Sequence, residues 1–214
     1  MPIGSTTSIC EFLAGDLDIE TILADGRHLF TAGFAANCYN MGVPNRLKSM
    51  IRDVPDFPKP GIIFKDITPL LADPCGLSLA VELMANQWRD DRPDLVVGTE
   101  SRGFIFGTAI AQSLSCGFVP IRKPGKLPYE TRSVKYDLEY GSDEVQIHVD
   151  AISAGQRVLM VDDLIATGGT MKAACELVTM VGGEIMGVAV LIELMNLGGR
   201  ELIGPVPIHA LLQY

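Results

Sequence analysis

The stretch Arg157-Val-Leu-Met-Val-Asp162-Asp163-Leu-Ile-Ala166-Thr167-Gly168-Gly169-Thr170 constrains the fold more than any other part of this chain. Val158–Val161 is uninterruptedly apolar, the pattern of a short strand buried on both faces. Two adjacent carboxylates follow it, then a small turn rich in Gly and Thr, then a helix. Met171, Ala174, Cys175, Val178 and Val181 recur on one face of that helix, and Gly182-Gly183 stops it as a C-cap would. A buried strand feeding a helix through a tight turn belongs to a mostly parallel sheet with helices on both faces.

The remaining segments repeat the alternation. Asp73-Pro74 reads as an N-cap followed by Pro at the first helical position, and Leu77, Val81, Met84 and Trp88 give the helix an apolar face. Leu95–Gly98 is a short strand, followed by a glycine turn and a helix carrying Phe104, Gly107, Ala111 and Leu114 on one side. Strands are expected at Phe118–Ile121, Met186–Ile192 and Ile208–Leu212, with an edge strand at Val145–Val149. The fold class is therefore α/β. In such sheets a ligand sits at the carboxyl ends of the strands, in the loops that enter helices.

Those loops carry distinctive chemistry. The first N–H groups of a helix lack intrahelical partners and lie at the positive end of its dipole, so they bind phosphate. Gly168 and Gly169 let the backbone close around an anion, and Thr167 and Thr170 add hydroxyl donors. Asp162 and Asp163 would repel a phosphate but can accept hydrogen bonds from vicinal hydroxyls. A phosphate at one end and a diol nearby describe a ribose 5-phosphate. Glu100-Ser101-Arg102-Gly103-Phe104 offers a second phosphate-sized nest with an arginine beside it. Gly98-Thr-Glu-Ser-Arg-Gly103 has the glycine spacing of a P-loop but is followed by Phe104 instead of Lys, and no G-x-G-x-x-G occurs.

Composition narrows the partners. With 214 residues, 48% hydrophobic and 20% charged, the chain suits one well-packed domain. A net charge of −9 is the wrong sign for holding nucleic acid. Between Arg122 and Lys135, however, five bases face the single acid Glu130, which suits a small polyanion. The longest uncharged apolar run, Ile185–Ile192, is much shorter than the roughly 18 residues a membrane span needs. Five scattered cysteines and three distant histidines imply neither a disulfide framework nor a zinc site, which points to a reducing cytoplasm. Residues 1–44 carry five acids against Arg27 alone and fit no targeting signal. They are set apart as an N-terminal extension of unassigned role, with residues 45–214 as the functional domain.

Val-Asp-Asp-Leu-Ile-Ala-Thr-Gly-Gly-Thr resembles the phosphoribosyl pyrophosphate motif of the type I phosphoribosyltransferases. The resemblance covers roughly residues 45–214 and is close to members that act on adenine. It implies a type I phosphoribosyltransferase fold with a small hood and a mobile lid loop. The implied activity is purine salvage, forming AMP and pyrophosphate from adenine and phosphoribosyl pyrophosphate. Mg²⁺ would arrive on the substrate, with no direct protein ligands, and the enzyme would be a cytoplasmic homodimer free of nucleic acid and membrane.

Carried onto this sequence, the family's ribose 5-phosphate site falls on Asp162, Asp163, Ala166, Thr167, Gly168, Gly169 and Thr170. The pyrophosphate site falls on Ser101, Arg102, Arg122 and Lys126, some of it supplied by a partner subunit, with a cis peptide expected between Glu100 and Ser101. Phe57–Thr68 resembles the hood segment, where Ile63 and Lys65 would border the base with Arg102 and Tyr140; alone, its prolines say only a rigid turn before a strand. Ser133–Gly141 resembles the lid. There Glu139 would assist proton handling and Tyr140 would pack over the site, with Lys126 and Arg102 completing the catalytic set. From the residues alone, Glu139-Tyr140 is a solvated acid beside a half-buried ring.

Two alternatives stay open at this level. One is a transferase for xanthine, hypoxanthine or orotate. The other is a regulator that senses phosphoribosyl pyrophosphate and carries a DNA-binding module at its N-terminus. Against the regulator, the N-terminal segment is acidic and Lys126 and Glu139 are retained.

Overall fold

In the computed structural model, which describes residues 43–137 and 142–214, helices and strands follow one another in the expected alternation. In chain order they are α1 (Val43–Ser49), β1 (Arg52–Pro55), β2 (Ile63–Asp66), α2 (Thr68–Ala72), α3 (Pro74–Asn86), β3 (Leu95–Thr99) and α4 (Gly103–Leu114). Then come β4 (Gly117–Ile121), β5 (Thr131–Asp137), β6 (Ser142–His148), β7 (Arg157–Ile165), α5 (Gly169–Met180), β8 (Glu184–Glu193), α6 (Gly199–Ile203) and β9 (Ile208–Gln213). Residues 1–42 of the expected N-terminal extension, and Glu139 and Tyr140, lie outside the described residues.

Five strands form a parallel sheet in the order β4-β3-β7-β8-β9. From β3 the chain moves outward to β4, then returns to the other side of β3 to place β7. The strand order therefore reverses between β3 and β7, and the loops leaving their carboxyl ends part there to open a crevice. The adjacency of β3 and β7 puts Glu100–Arg102 beside Ala166–Thr170.

Alternation along the strands divides the core into two layers. Val96, Leu159, Val161, Ala189 and Leu191 face α3 and α4, where Met84, Phe106, Ile110 and Leu114 are fully or almost fully buried. Val97, Val158, Met160, Val188 and Val190 face α5, packed against Met171, Ala174, Leu177 and Val178. Two antiparallel ribbons flank the main sheet, β1 with β2 and β5 with β6. Together, the residues from Leu47 to Tyr214 form one compact unit.

Several boundaries differ from the sequence reading, each for a packing reason. The β7 strand runs to Ile165, so both carboxylates lie within it, because pairing with β8 continues through Ile165 and Glu193. Val145–His148 is part of β6, in the separate ribbon rather than at an edge of the main sheet. Ser133–Asp137, expected in a lid loop, is strand: Val134 pairs with Val145 and packs with Tyr136 against the α5 layer. Phe104 is only partly buried, and Phe106 and Ile110 take the inner face of α4 with Gly107, Ala111 and Leu114. Among the described residues, no helix is long and apolar enough to cross a membrane.

The expected cap of α3 forms: the Asp73 carboxylate accepts from the Gly76 N–H at 2.6 Å, with Pro74 opening the helix. Asp73→Ala should cost about 1 kcal/mol. The urea midpoint should fall with no change in slope, whereas Asp73→Asn should remain close to the parent chain.

Candidate active site

The crevice at the β3–β7 switch point is a cleft of about 390 Å³. Glu100, Ser101 and Arg102 line one side and Asp162–Met171 the floor, with Lys123, Tyr136 and Asp143 completing the wall. The Glu100–Ser101 peptide is cis, as the resemblance implied. Every residue expected at the ribose 5-phosphate lies in this one cleft. Gly168, at φ +85°, makes the left-handed turn that ends the loop, and α5 begins at Gly169 with its first N–H groups toward the cleft.

The two carboxylates are not equivalent. Asp162 accepts from the Thr99 hydroxyl through Oδ2 and from the Asp163 N–H through Oδ1, the latter at 2.8 Å. Gly103 makes this possible: a Cβ there would lie 2.9 Å from Asp162 Oδ1 and 3.0 Å from Thr99 Oγ1. Asp163 is buried, and its Oδ2 lies 3.1 Å from Arg102 Nη2. That N–H is not aimed along a hydrogen bond, so Asp163 Oδ2 is a buried acceptor without a hydrogen-bond partner. Burial, reinforced by the neighbouring Asp163 charge, pushes the Asp162 carboxyl well above the ordinary carboxylate range. Burial also raises Asp163, against the opposing pull of Arg102.

Each cation around the cleft has an acidic partner. Arg102 stands beside Asp163. Arg122 makes a two-pronged contact with Glu100, Nε to Oε2 at 3.1 Å and Nη2 to Oε1 at 3.3 Å, which holds the Glu100 carboxyl below its usual range. Lys123 pairs with Asp143, and Tyr136 donates to the same Asp143 oxygen at 3.1 Å. Thr170 donates to the Tyr136 hydroxyl at 3.1 Å, joining the β5–β6 ribbon to the phosphate-type loop. Backbone bonds between Arg122 and Gln146 hold Lys123 against that ribbon.

Other expected residues are not brought to the cleft wall. Arg122 and the exposed Lys126 do not line it. Ile63 is largely exposed, and Lys65 is bound to Asp53 at 2.6 Å with its ammonium 4.1 Å from the Tyr214 ring centroid. Alternation along β2 instead turns Phe64 toward the cleft side, where the Arg102 guanidinium lies 5.1 Å from its ring centroid. Sequence reasoning missed Phe64, Thr99, Lys123, Tyr136 and Asp143. Period-two alternation around Lys65 could have flagged Phe64; the other four become neighbours only through pairing between distant strands.

The acid pair with Thr99 does not form a closed cage, and the described residues hold no cluster of three His, Cys, Asp or Glu side chains able to bind a metal. The Asp162 and Asp163 carboxylates at the cleft are hard oxygen donors, the ligand type that Mg²⁺ accepts.

A family model described as phosphoribosyl transferase domain matches residues 70–203. An adenine phosphoribosyltransferase of Rhodopirellula baltica is 55% identical over 168 residues, covering 78% of this chain and 82% of its own length. The crystal structure of adenine phosphoribosyltransferase from Thermoanaerobacter pseudethanolicus superimposes with a TM-score of 0.78 at 47% identity, covering 80% of this chain and 99% of that one. The Saccharomyces cerevisiae enzyme, complexed with an imino-altritol bisphosphate and adenine, gives a TM-score of 0.75 at 39% identity, over 79% of this chain and 98% of its own. The fold, the cleft at the strand reversal and these likenesses together place the chain in the phosphoribosyltransferase family.

Proposed function

We propose that this chain transfers the 5-phosphoribosyl group of phosphoribosyl pyrophosphate to adenine, releasing AMP and pyrophosphate. The observation that carries the reading is the single cleft that sets an acid pair with an unpartnered buried acceptor beside a glycine-rich helix start. The chain is 39–55% identical to the adenine phosphoribosyltransferases named above.

The N–H groups around Gly168, Gly169 and Thr170, with the Thr167 hydroxyl and the Ala166 backbone, hold the 5-phosphate. Asp163 Oδ2 takes a ribose hydroxyl, and Asp162, fixed by Thr99, presents the second carboxylate to the sugar. In the reaction the bond from ribose C1 to the pyrophosphate oxygen breaks, the bond from C1 to the base nitrogen forms, and that nitrogen loses its proton. Positive charge gathers at C1 in between, and the acid pair faces it from a site where water screens little. Ser101, Arg102 and Lys123 receive the departing pyrophosphate. Mg²⁺ carried on the substrate supplies charge neutralisation to that leaving group. Phe64, beside Arg102, offers a planar base an aromatic surface, on the face of β2 opposite the side chains of Ile63 and Lys65. By resemblance to the family, Glu139 takes the proton from the base and Tyr140 packs over the site. Holding the two reactants in register is the main contribution to rate.

Arg122 and Lys126 reach pyrophosphate in a homodimer, which is why neither lines the cleft of a single chain. Light scattering should return twice the chain mass; a monomer with full activity would remove that role. The scatter of the five cysteines, with no C-x-x-C pairing, supports a cytoplasmic, reducing setting.

Asp162→Asn combined with Asp163→Asn should lower kcat/KM at least about a thousandfold, while circular dichroism stays unchanged. A parent chain that makes nucleotide from hypoxanthine, xanthine or orotate in preference to adenine would replace the base assignment. Asp162→Asn should also stabilise the ligand-free protein. A carboxyl whose folded pKa lies above its unfolded one binds its proton more tightly when folded, so its contribution to stability falls as pH rises out of the acid range. Asparagine removes that loss, so the gain in Tm should be larger at pH 8 than at pH 5.

A further inference from the structure

Glu193 is one of few fully buried charges in the described residues, and it takes no part in the chemistry above. It ends β8, and its two oxygens are gripped by one guanidinium: Arg200 Nε to Oε1 at 2.8 Å and Nη2 to Oε2 at 2.6 Å. Gln213 adds a bond to Oε2 at 3.3 Å, and Arg200 Nη1 reaches the Ile208 carbonyl at 3.1 Å. Arg200 therefore pins the short helix α6 to the carboxyl end of β8 and to the start of β9. A two-pronged arginine contact fixes both distance and orientation, which a lysine in its place cannot do.

What this clamp positions is the residue before it. Gly199 is buried directly behind the cleft's loop. A Cβ on Gly199 would overlap the Ala166 carbonyl oxygen and lie 3.1 Å from the Gly168 nitrogen. Reciprocally, a Cβ on Gly168 would lie 2.5 Å from the Gly199 carbonyl oxygen. The shortest of these approaches are to backbone atoms, which cannot swing aside, and the Ile165 Cγ2 methyl would also lie 2.6 Å from a Cβ on Gly199. The Leu194 N–H donates to the Ile165 carbonyl at 2.9 Å, tying the end of β8 to the residue that enters the loop.

We infer that Gly199, held by the Glu193–Arg200 clamp, is a positioning residue that sets the curvature of the Ala166–Gly168 loop and hence its grip on the sugar phosphate. The inference rests on the proposed function for the identity of the ligand. The clamp touches no substrate. It acts through the loop alone, so its loss should affect the ribose 5-phosphate end of the site and spare the pyrophosphate end at Ser101 and Lys123.

The experiment titrates ribose 5-phosphate and, separately, pyrophosphate with Mg²⁺ into the full chain by calorimetry, for the parent, Gly199→Ala, Arg200→Lys and the remote cap variant Asp73→Ala. Gly199→Ala is expected to bind ribose 5-phosphate about tenfold or more weakly, with pyrophosphate affinity within about twofold of the parent. Arg200→Lys should weaken the same ligand several-fold, and Asp73→Ala neither. If both site variants keep parental affinity for ribose 5-phosphate, or lose both ligands alike, the inference is overturned. Should Gly199→Ala not fold, Arg200→Lys decides by the same criterion. A parent chain that binds neither ligand would count against the proposed function instead.

Discussion

Two carboxylates placed side by side at the end of a buried strand repel each other and resist losing water, and much of the surrounding structure answers that cost. Thr99 and the Asp163 N–H hold Asp162. Arg102 stands beside Asp163 without satisfying it. Gly103 exists at its position because a side chain there would strike Asp162. Burial shifts both carboxyls up, so ionising the pair at neutral pH works against the fold.

A related economy governs the cations. Arg102, Arg122 and Lys123 are paired with Asp163, Glu100 and Asp143. The Arg122–Glu100 and Lys123–Asp143 pairs are partly solvated and contribute little to folding, whereas Asp163 is buried beside Arg102. Their effect is on orientation, because each carboxylate fixes where its cation's donors point. Tyr136 lies where this arrangement meets the phosphate loop, between Asp143 and Thr170.

The legible parts of the site were those contained in one local run. Asp162 through Thr170 could be read because strand, acid pair, turn and helix start are consecutive, and each residue type has a local reason to be there. The cis bond at Glu100–Ser101 came from resemblance alone. In the hood segment the resemblance points to Ile63 and Lys65, and the structure adds Phe64 between them, its ring beside the Arg102 guanidinium. Val145–Val149 alternates enough to be read as an edge strand, whereas Ser133–Asp137 reads as lid loop because Val134 and Tyr136 give only a faint alternation until β6 pairs with them.

By itself the sequence determined the α/β class, the glycine-rich loop from strand to helix, and the carboxylates that precede it, since these follow from periodicity, backbone freedom and charge within a few consecutive residues. Tertiary structure alone decided that β3 and β7 are neighbours, that Thr99 holds Asp162, that Lys123 meets Asp143, and that Gly199 backs the loop. Those choices depend on which strands pair and how closely two backbones approach, and no property of a local segment encodes either.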